Sequence, residues 1–388
     1  MSPIIYYYIK TLLTTTILIT SLNIHAQHDT ITHNGLNRGF LLHLPEEYSG
    51  ESDLPLIIAM HGGFGSPNNI QNQSQLSVKA DEEGFIVVYP EGVKGGVLDI
   101  RTWNAGWCCG HASNTDIDDV GFISALMDTL ISEYAIDTTR IYATGMSNGG
   151  FLSYRLACEL SDRIAAIAPV AASMSMVECN PTRPVPVISF HSFLDSNIPY
   201  EGGVGDGVSD HYNSPQDSIL NTWATNNKCQ ALNDTITDNA EYTEIHWGNC
   251  DCISEVQHII TTDGGHSWPG GRKTATGDEV SEFINANDLM WDFFQQFTLD
   301  CNQTSSIDNI TQSLHIKIYP NPASKILNID FPENYINQQV FIYNINGQEM
   351  MKASNVTTID VSDLSNGVYF LMVNTDGIKR TGKFLKTK

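Results

Sequence analysis

The stretch Arg140-Ile-Tyr-Ala-Thr-Gly-Met-Ser-Asn-Gly-Gly-Phe-Leu-Ser-Tyr-Arg-Leu-Ala-Cys158 carries three signals in a fixed order. Ile141 to Thr144 is a short apolar run of strand character. Gly145-Met146-Ser147-Asn148-Gly149 matches G-x-S-x-G. Phe151, Leu152, Leu156 and Ala157 then recur at helical spacing. A strand, a sharp turn and a helix form the context in which this pattern presents a serine nucleophile; without it, the same residues would read as a glycine-rich turn with a capping serine. The turn forces Ser147 into a strained backbone conformation with its hydroxyl above the sheet. Gly145, Gly149 and Gly150 omit the Cβ atoms that would collide with the neighbouring strand and helix. The N–H groups of the helix's first turn have no partners within the helix and can face a developing negative charge.

Working outward, strands alternate with helices on both sides of this turn. Arg38 to Leu44 reads as a strand. Leu56-Ile-Ile-Ala-Met60 is a continuous apolar run, the mark of a strand buried on both faces, and ends in His61-Gly62-Gly63-Phe64-Gly65. A helical stretch through Ala80 leads to the strand Phe85 to Tyr89. Residues 91 to 115 are irregular and rich in Gly, Trp and Cys, and Asp116 to Tyr134 has the acidic first turn and apolar spacing of a helix. Ile164 to Val170, Val187 to Phe190 and Val256 to Thr261 read as strands, and Pro215 to Asn226 and Val280 to Phe297 as helices. The expected fold is α/β, with a mostly parallel, doubly wound sheet in residues 27–300. Residues 301–315 are polar and read as a linker. Residues 316–388 contain short strands separated by Pro320-Asn-Pro322, Asn346-Gly347, Asn366-Gly367 and Asp376-Gly377, and read as a small all-β, sandwich-like domain.

Residues 1–26 resemble a secretory signal: Lys10, a short apolar core from Leu12 to Leu22, and Ala26 before Gln27. That core is too short and threonine-rich to span a membrane, and no later segment reaches spanning length. The chain holds 44 Asp and Glu against 20 Lys and Arg, a formal charge of −24. Such a surface repels phosphate backbones, so nucleic acid is not an expected partner. Export permits disulfides, and all eight cysteines follow the signal. Their spacing does not settle the pairing. Cys229 to Cys252 is the expected bridge, because it would hold the strand that delivers His266, and Cys250 is its rival. Neither Cys250-x-Cys252 nor Cys108-Cys109 has the spacing of a zinc site, so no metal or cofactor is expected.

A serine hydroxyl needs a base to take its proton, and the base needs a carboxylate to hold its tautomer. In this kind of fold the order is Ser, Asp or Glu, then His. Val187-Ile-Ser-Phe-His-Ser-Phe-Leu-Asp195 places Asp195 just past a strand end, and Thr261-Thr-Asp-Gly-Gly-His266 does the same for His266. The carboxyl ends of strands are where open α/β sheets assemble their sites. Asp206, Asp210 and Asp263 are rival acids. The oxyanion is expected to meet the N–H groups of Asn148 and Gly63, with Phe64 the rival to Gly63, while His61 reads as a structural side chain.

With these residues in view, positions 36 to about 297 resemble the secreted esterases that include polyhydroxybutyrate depolymerases and feruloyl or acetylxylan esterases. The matching stretches are His61-Gly62, Trp103-Asn-Ala-Gly-Trp-Cys-Cys-Gly110, Asp118-Asp-Val-Gly-Phe122, Tyr142-Ala-Thr-Gly-Met-Ser-Asn-Gly-Gly150 and Gly264-Gly-His-Ser-Trp-Pro-Gly270. The resemblance implies an α/β-hydrolase fold and a Ser-Asp-His triad at Ser147, Asp195 and His266, with Trp107 and Trp268 as substrate contacts. Gly63 stands where the family often has Cys, and Ser192 where it often has Gly. The implied activity is hydrolysis of feruloyl or acetyl esters on plant polysaccharide, with hydroxyalkanoate oligomers as the alternative. A non-catalytic polysaccharide-binding protein or a serine peptidase is less in keeping with a filled triad. Residues from about 317 resemble the C-terminal sorting domain of type IX secretion substrates, through Tyr319-Pro-Asn-Pro322, Tyr343-Asn-Ile-Asn-Gly347, Leu364-Ser-Asn-Gly-Val-Tyr369 and the basic end Lys379 to Lys388. That implies a secreted or cell-surface protein that meets the type IX machinery.

Overall fold

The continuous apolar runs become the centre of a ten-stranded sheet in the computed structural model. The structure describes residues 26–301, apart from 177, 208–210, 231–233 and 276, and residues 317–330, 338–344, 348–375 and 378–388. All of the expected signal segment but Ala26, and all of the expected linker but Cys301, lie outside these residues.

The chain divides into two units, Met1–Asn302 and Gln303–Lys388. In the first, the strands are β1 (Ala26–His33), β2 (Leu36–His43), β3 (Leu54–Met60), β4 (Ile86–Pro90), β5 (Ile136–Met146), β6 (Ala166–Val170), β7 (Val187–Ser192), β8 (Asp234–Asp238), β9 (Tyr242–Trp247) and β10 (Val256–Thr261). Their order across the sheet is β1-β2-β4-β3-β5-β6-β7-β10-β9-β8. The six from β4 to β10 are parallel, and antiparallel strands finish both edges. The helices are α1 (Pro67–Ser74), α2 (Leu76–Glu83), α3 (Gly110–Asn114), α4 (Asp119–Glu133), α5 (Asn148–Glu159), α6 (Gln216–Asn226) and α7 (Ala286–Phe294). Alternate residues of the central strands feed two separate apolar cores. Leu56, Ile58, Ile141 and Ala143 pack with α4, α5 and α6, whereas Ile57, Ala59 and Tyr142 pack with α1, α2 and α7. A parallel sheet covered on both faces is the expected architecture. Among the described residues, no helix is long and apolar enough to cross a membrane.

The second unit has a four-stranded and a three-stranded antiparallel sheet around Leu327, Ile329, Val340, Ile342, Leu371, Val373 and Phe384. The basic end is itself a strand, Ile378–Lys386, paired along its length with Gly367–Thr375.

The disulfide expectation is corrected. Cys229 pairs with Cys250, Cys252 with Cys301, Cys158 with Cys179, and Cys108 with its neighbour Cys109. A 3-10 turn, Asp251–Ile253, with Cys252 at φ 62°, reverses the chain between the two rival cysteines. Cys250 therefore faces the end of α6, and Cys252 meets Cys301 beyond α7. Cys301, assigned to the linker by sequence, is the covalent end of the first unit. A chain ending at residue 302 is expected to fold, and one ending at residue 299 to leave Cys252 unpaired. Losing closure of a 49-residue span costs about 4 kcal/mol in the chain-entropy model. Thermal melts of the two truncated chains check this; equal melting temperatures would refute it.

Candidate active site

Three of the residues singled out by sequence stand past the carboxyl ends of β5, β7 and β10, all on one edge of the parallel sheet. Ser147 has φ 53° and ψ −124°, a left-handed strain that a side chain adopts only where its surroundings enforce it. Its N–H donates to the Val170 carbonyl at 2.9 Å, and its own carbonyl accepts from Phe151 at 2.9 Å, opening α5. Gly149 lets α5 start this close to the sheet: a Cβ there would overlap the Met60 carbonyl.

Asn148 is buried, and its amide clamps the loop in front of it. Oδ1 accepts from the Trp103 N–H at 2.7 Å, and Nδ2 donates to the Trp103 carbonyl at 3.0 Å. Its backbone N–H lies in the first helical turn, where no intrahelical acceptor exists. Of the two residues considered as its companion, Phe64 donates its N–H to the Arg101 carbonyl at 3.0 Å. A Cβ on Gly63 would meet nothing within 4 Å, so that backbone borders open space. His61 ties loops together. Its Nδ1–H donates to the Gly62 carbonyl at 2.7 Å, Nε2 accepts from Gly92 at 3.0 Å, and its carbonyl accepts from Trp103 Nε1 at 2.9 Å.

Asp195 and His266 meet. His266 Nδ1 lies 2.8 Å from Asp195 Oδ2, and because a carboxylate only accepts, the proton sits on Nδ1 and Nε2 keeps a lone pair. The Asp195 side chain is fully buried and that of His266 is 12% exposed, so the pair is shielded on the acid side and open on the other. Asp195 Oδ1 accepts from the N–H groups of Asn197 and Ile198 at 3.0 and 2.9 Å. Burial works to raise the Asp195 pKa, but the His266 ring, its hydrogen bond, the His191 ring and the Ile198 N–H outweigh it and hold the carboxyl below its usual range. The rival Asp263 is engaged elsewhere, by Ser281 Oγ and the Glu282 N–H. Asp210 lies outside the described residues.

No hydrogen bond joins Ser147 Oγ to His266 Nε2 in this structure; such bonds are often long before substrate binds. The loop carrying His266 nevertheless reaches the elbow through Gln73. Gln73 accepts from the Arg272 N–H at 2.8 Å, and its Nε2 contacts Met146 Sδ at 2.9 Å, one residue from Ser147.

Of the two tryptophans expected to touch substrate, Trp107 is 60% exposed, with its N–H donated to the Ser175 carbonyl at 2.9 Å. Trp268 is corrected: it is fully buried, and its Nε1–H donates to Asn287 Oδ1 of α7 at 3.0 Å. It anchors the loop after His266 and has no face to offer a ligand. Phe64, Phe193 and Leu194 are exposed next in sequence to Gly63 and Asp195; sequence reading weighed Phe64 only as a backbone donor and passed over the other two. Cys108 and Cys109 lie with His211 in a cluster that has the elements of a metal site, but the sulfurs are bonded to each other, leaving one imidazole.

Besides His191, two histidines of this region, His61 and His258, are fully buried. Burial pushes His61 down to about 4 and His258, whose Nδ1 lies 3.3 Å from the Ser189 carbonyl, down to about 3. Both stay neutral while folded, yet the unfolded chain protonates them below about pH 6.5. The unfolded state then binds more protons, so stability is complete above pH 6.5. It falls as pH drops towards 4 for His61 and 3 for His258, by about 1.4 kcal/mol per pH unit for each ring. Melting temperatures between about pH 7 and 4 should show this slope. His258→Phe should flatten it, and an unchanged slope in that folded variant would remove His258 from the account.

Residues 39–180 match the family model described as esterase PHB depolymerase, and residues 317–387 the one described as secretion system C-terminal sorting domain. Feruloyl esterase B of Piromyces equi is 30% identical over 271 residues, covering 68% of this chain and 46% of that protein. The bifunctional acetylxylan esterase/xylanase XynS20E of Neocallimastix patriciarum is 26% identical, over 70% of this chain and 35% of that protein. The chain thus spans less than half the length of these two relatives. Feruloyl esterase C of Emericella nidulans is 27% identical, covering 69% of this chain and 89% of that protein. An acetyl xylan esterase structure from Aspergillus awamori is 16% identical with a TM-score of 0.49, covering 69% of this chain and 99% of that one. The sorting domain marks the protein as secreted or held at the cell surface. Its first unit thus carries a domain of the PHB-depolymerase esterase type and is similar to feruloyl and acetylxylan esterases, and its second matches a secretion-system C-terminal sorting domain.

Proposed function

We propose that the first unit hydrolyses carboxylic esters through Ser147, His266 and Asp195. The observation that carries this reading is the buried Asp195–His266 pair at 2.8 Å, on the sheet edge that also holds the strained Ser147. Ser147 Oγ attacks the ester carbonyl carbon as its proton passes to His266 Nε2. The carbonyl electron pair moves onto oxygen, where the N–H groups of Asn148 and Gly63 receive it. Collapse expels the alcohol, which takes the proton from His266 and leaves an acyl group on Ser147. Water, deprotonated by His266, then attacks the acyl carbon, and the acid leaves. Asp195 stays ionised and stabilises the imidazolium in both halves.

The substrate we favour is a feruloyl or acetyl ester on plant polysaccharide. The names of the relatives support it, and so does the exposure of the aromatic side chains of Phe64, Trp107 and Phe193, each of which can lie against a planar acyl group. The family description supports hydroxyalkanoate oligomers as the second reading. Methyl ferulate, acetylated xylan and hydroxybutyrate oligomers assayed side by side decide between them. Higher kcat/KM on the hydroxybutyrate oligomers would reverse the preference, and no turnover of any ester would end the proposal.

A further inference from the structure

His191 stands on β7, four residues before the acid, and nothing in the proposed chemistry uses it. Its side chain is fully buried, and Nε2 lies 2.8 Å from the Ile198 carbonyl and 3.8 Å from Asp195 Oδ2. A carbonyl only accepts, so Nε2 carries the proton. Nδ1 is then a bare acceptor, buried and without a partner. The groups facing the ring are Asp195, Tyr200 at 6.3 Å and His258 at 6.5 Å between ring centres.

An orphaned buried nitrogen is costly, and an apolar side chain would fill the same space without that cost. A residue that breaks a packing rule without local compensation points to function. The compensation lies in the turn after it. Ile198 is held at both backbone groups: its N–H by Asp195 Oδ1 at 2.9 Å, its carbonyl by His191 at 2.8 Å. Oδ1 also accepts from Asn197. With Oδ1 occupied by this turn, Oδ2 is the oxygen left for His266 Nδ1. Burial, acting against the pull of Asp195, keeps His191 below the ordinary histidine range, so it does not compete with His266 as a second cation.

We propose that His191 is a positioning residue for the acid: by donating Nε2–H to Ile198 from the rigid end of β7, it locks the 195–198 turn and so aims Asp195 Oδ2 at His266. This rests on the proposed Ser147-His266-Asp195 mechanism, and the experiment separates the two. His191→Leu removes the donor. His191→Asn keeps polarity but is too short to reach the carbonyl. His191→Gln restores a donor at about the distance of Nε2. On p-nitrophenyl acetate, the Leu and Asn variants should lose about 100-fold in kcat, the effect of a misplacement of about 1 Å, with KM within about twofold of wild type. The Gln variant should recover most of that loss. The downfield proton signal of His266 Nδ1–H bonded to Asp195 should weaken in the Leu and Asn proteins and return in the Gln protein. A folded Leu or Asn variant with wild-type kcat and an unchanged proton signal would overturn the proposal, as would loss shared equally by all three variants. One measurement needs no variant: nitrogen NMR of histidine-labelled wild-type protein should find His191 protonated on Nε2 alone, and an Nδ1–H tautomer would overturn the assignment. Should Ser147→Ala remain active, the mechanism itself fails, whatever the His191 variants do.

Discussion

Ser147→Ala is expected to lower kcat on p-nitrophenyl acetate by about a million-fold while leaving the melting temperature within a few degrees. The size of the loss follows from the group removed. The alanine protein has no atom that can carry the acyl group, and the remaining members cannot make up for it because they act on the proton of that hydroxyl. What stays is binding and the oxyanion donors. The small effect on stability follows from the backbone. Ser147 makes its elbow contacts through its N–H to Val170 and its carbonyl to Phe151, and both survive the change. The strain at φ 53° is also borne by alanine as it is by serine. A fluorophosphonate probe should label wild-type protein on the Ser147 peptide and leave the alanine protein unlabelled. Turnover near wild type by pure alanine protein would end the serine mechanism.

Asp195→Asn should cost about ten-thousand-fold in kcat, with little change in KM. Oδ1 receives two backbone N–H groups, so an asparagine must place its carbonyl oxygen there to keep the turn. Its NH2 then faces His266 Nδ1 as a donor. The imidazole must switch tautomer, presenting N–H rather than a lone pair towards the serine, and the base is lost without loss of shape. Asp195→Ala breaks the turn as well, so it should add a fall in stability that Asp195→Asn does not show. An asparagine protein with more than a tenth of wild-type kcat would show that another group holds His266.

The elbow was legible in the sequence because the apolar pattern changes there from strand to helical spacing within a few residues, and glycines mark where backbones approach. The buried strands were equally clear, since Leu56 to Met60 is wholly apolar and Val187 to Phe190 is interrupted only by Ser189. Edge strands were not. Ala26–His33, Asp234–Asp238 and Ile378–Lys386 are polar or charged, and each becomes a strand only through the partner it pairs with. The predicted helix over 280–297 shrinks to Ala286–Phe294 because Ser281 and Glu282 are drawn into hydrogen bonds with Asp263. Order along the chain was enough to nominate Asp195 and His266, whose contact the structure shows. Trp268 misled because its neighbour is His266, while its burial depends on Asn287 in a helix that sequence proximity does not reveal. Cys252 misled in the same way: a single turn decides which way its sulfur points.

The bond between Cys252 and Cys301 encloses the segment that carries His266. An exported protein meets foreign proteases, and the exposed stretch around Arg272 and Lys273 within that segment is a natural place for a cut. After one such cut His266 stays on the amino-terminal piece with Cys252, and the piece that follows the cut, bearing α7 and Cys301, cannot diffuse away, because the Cys252–Cys301 bond still joins the two. The enzyme should therefore go on working as a nicked molecule, two chains on a reducing gel and one on a non-reducing gel, and lose its activity only when the nick is followed by a reductant.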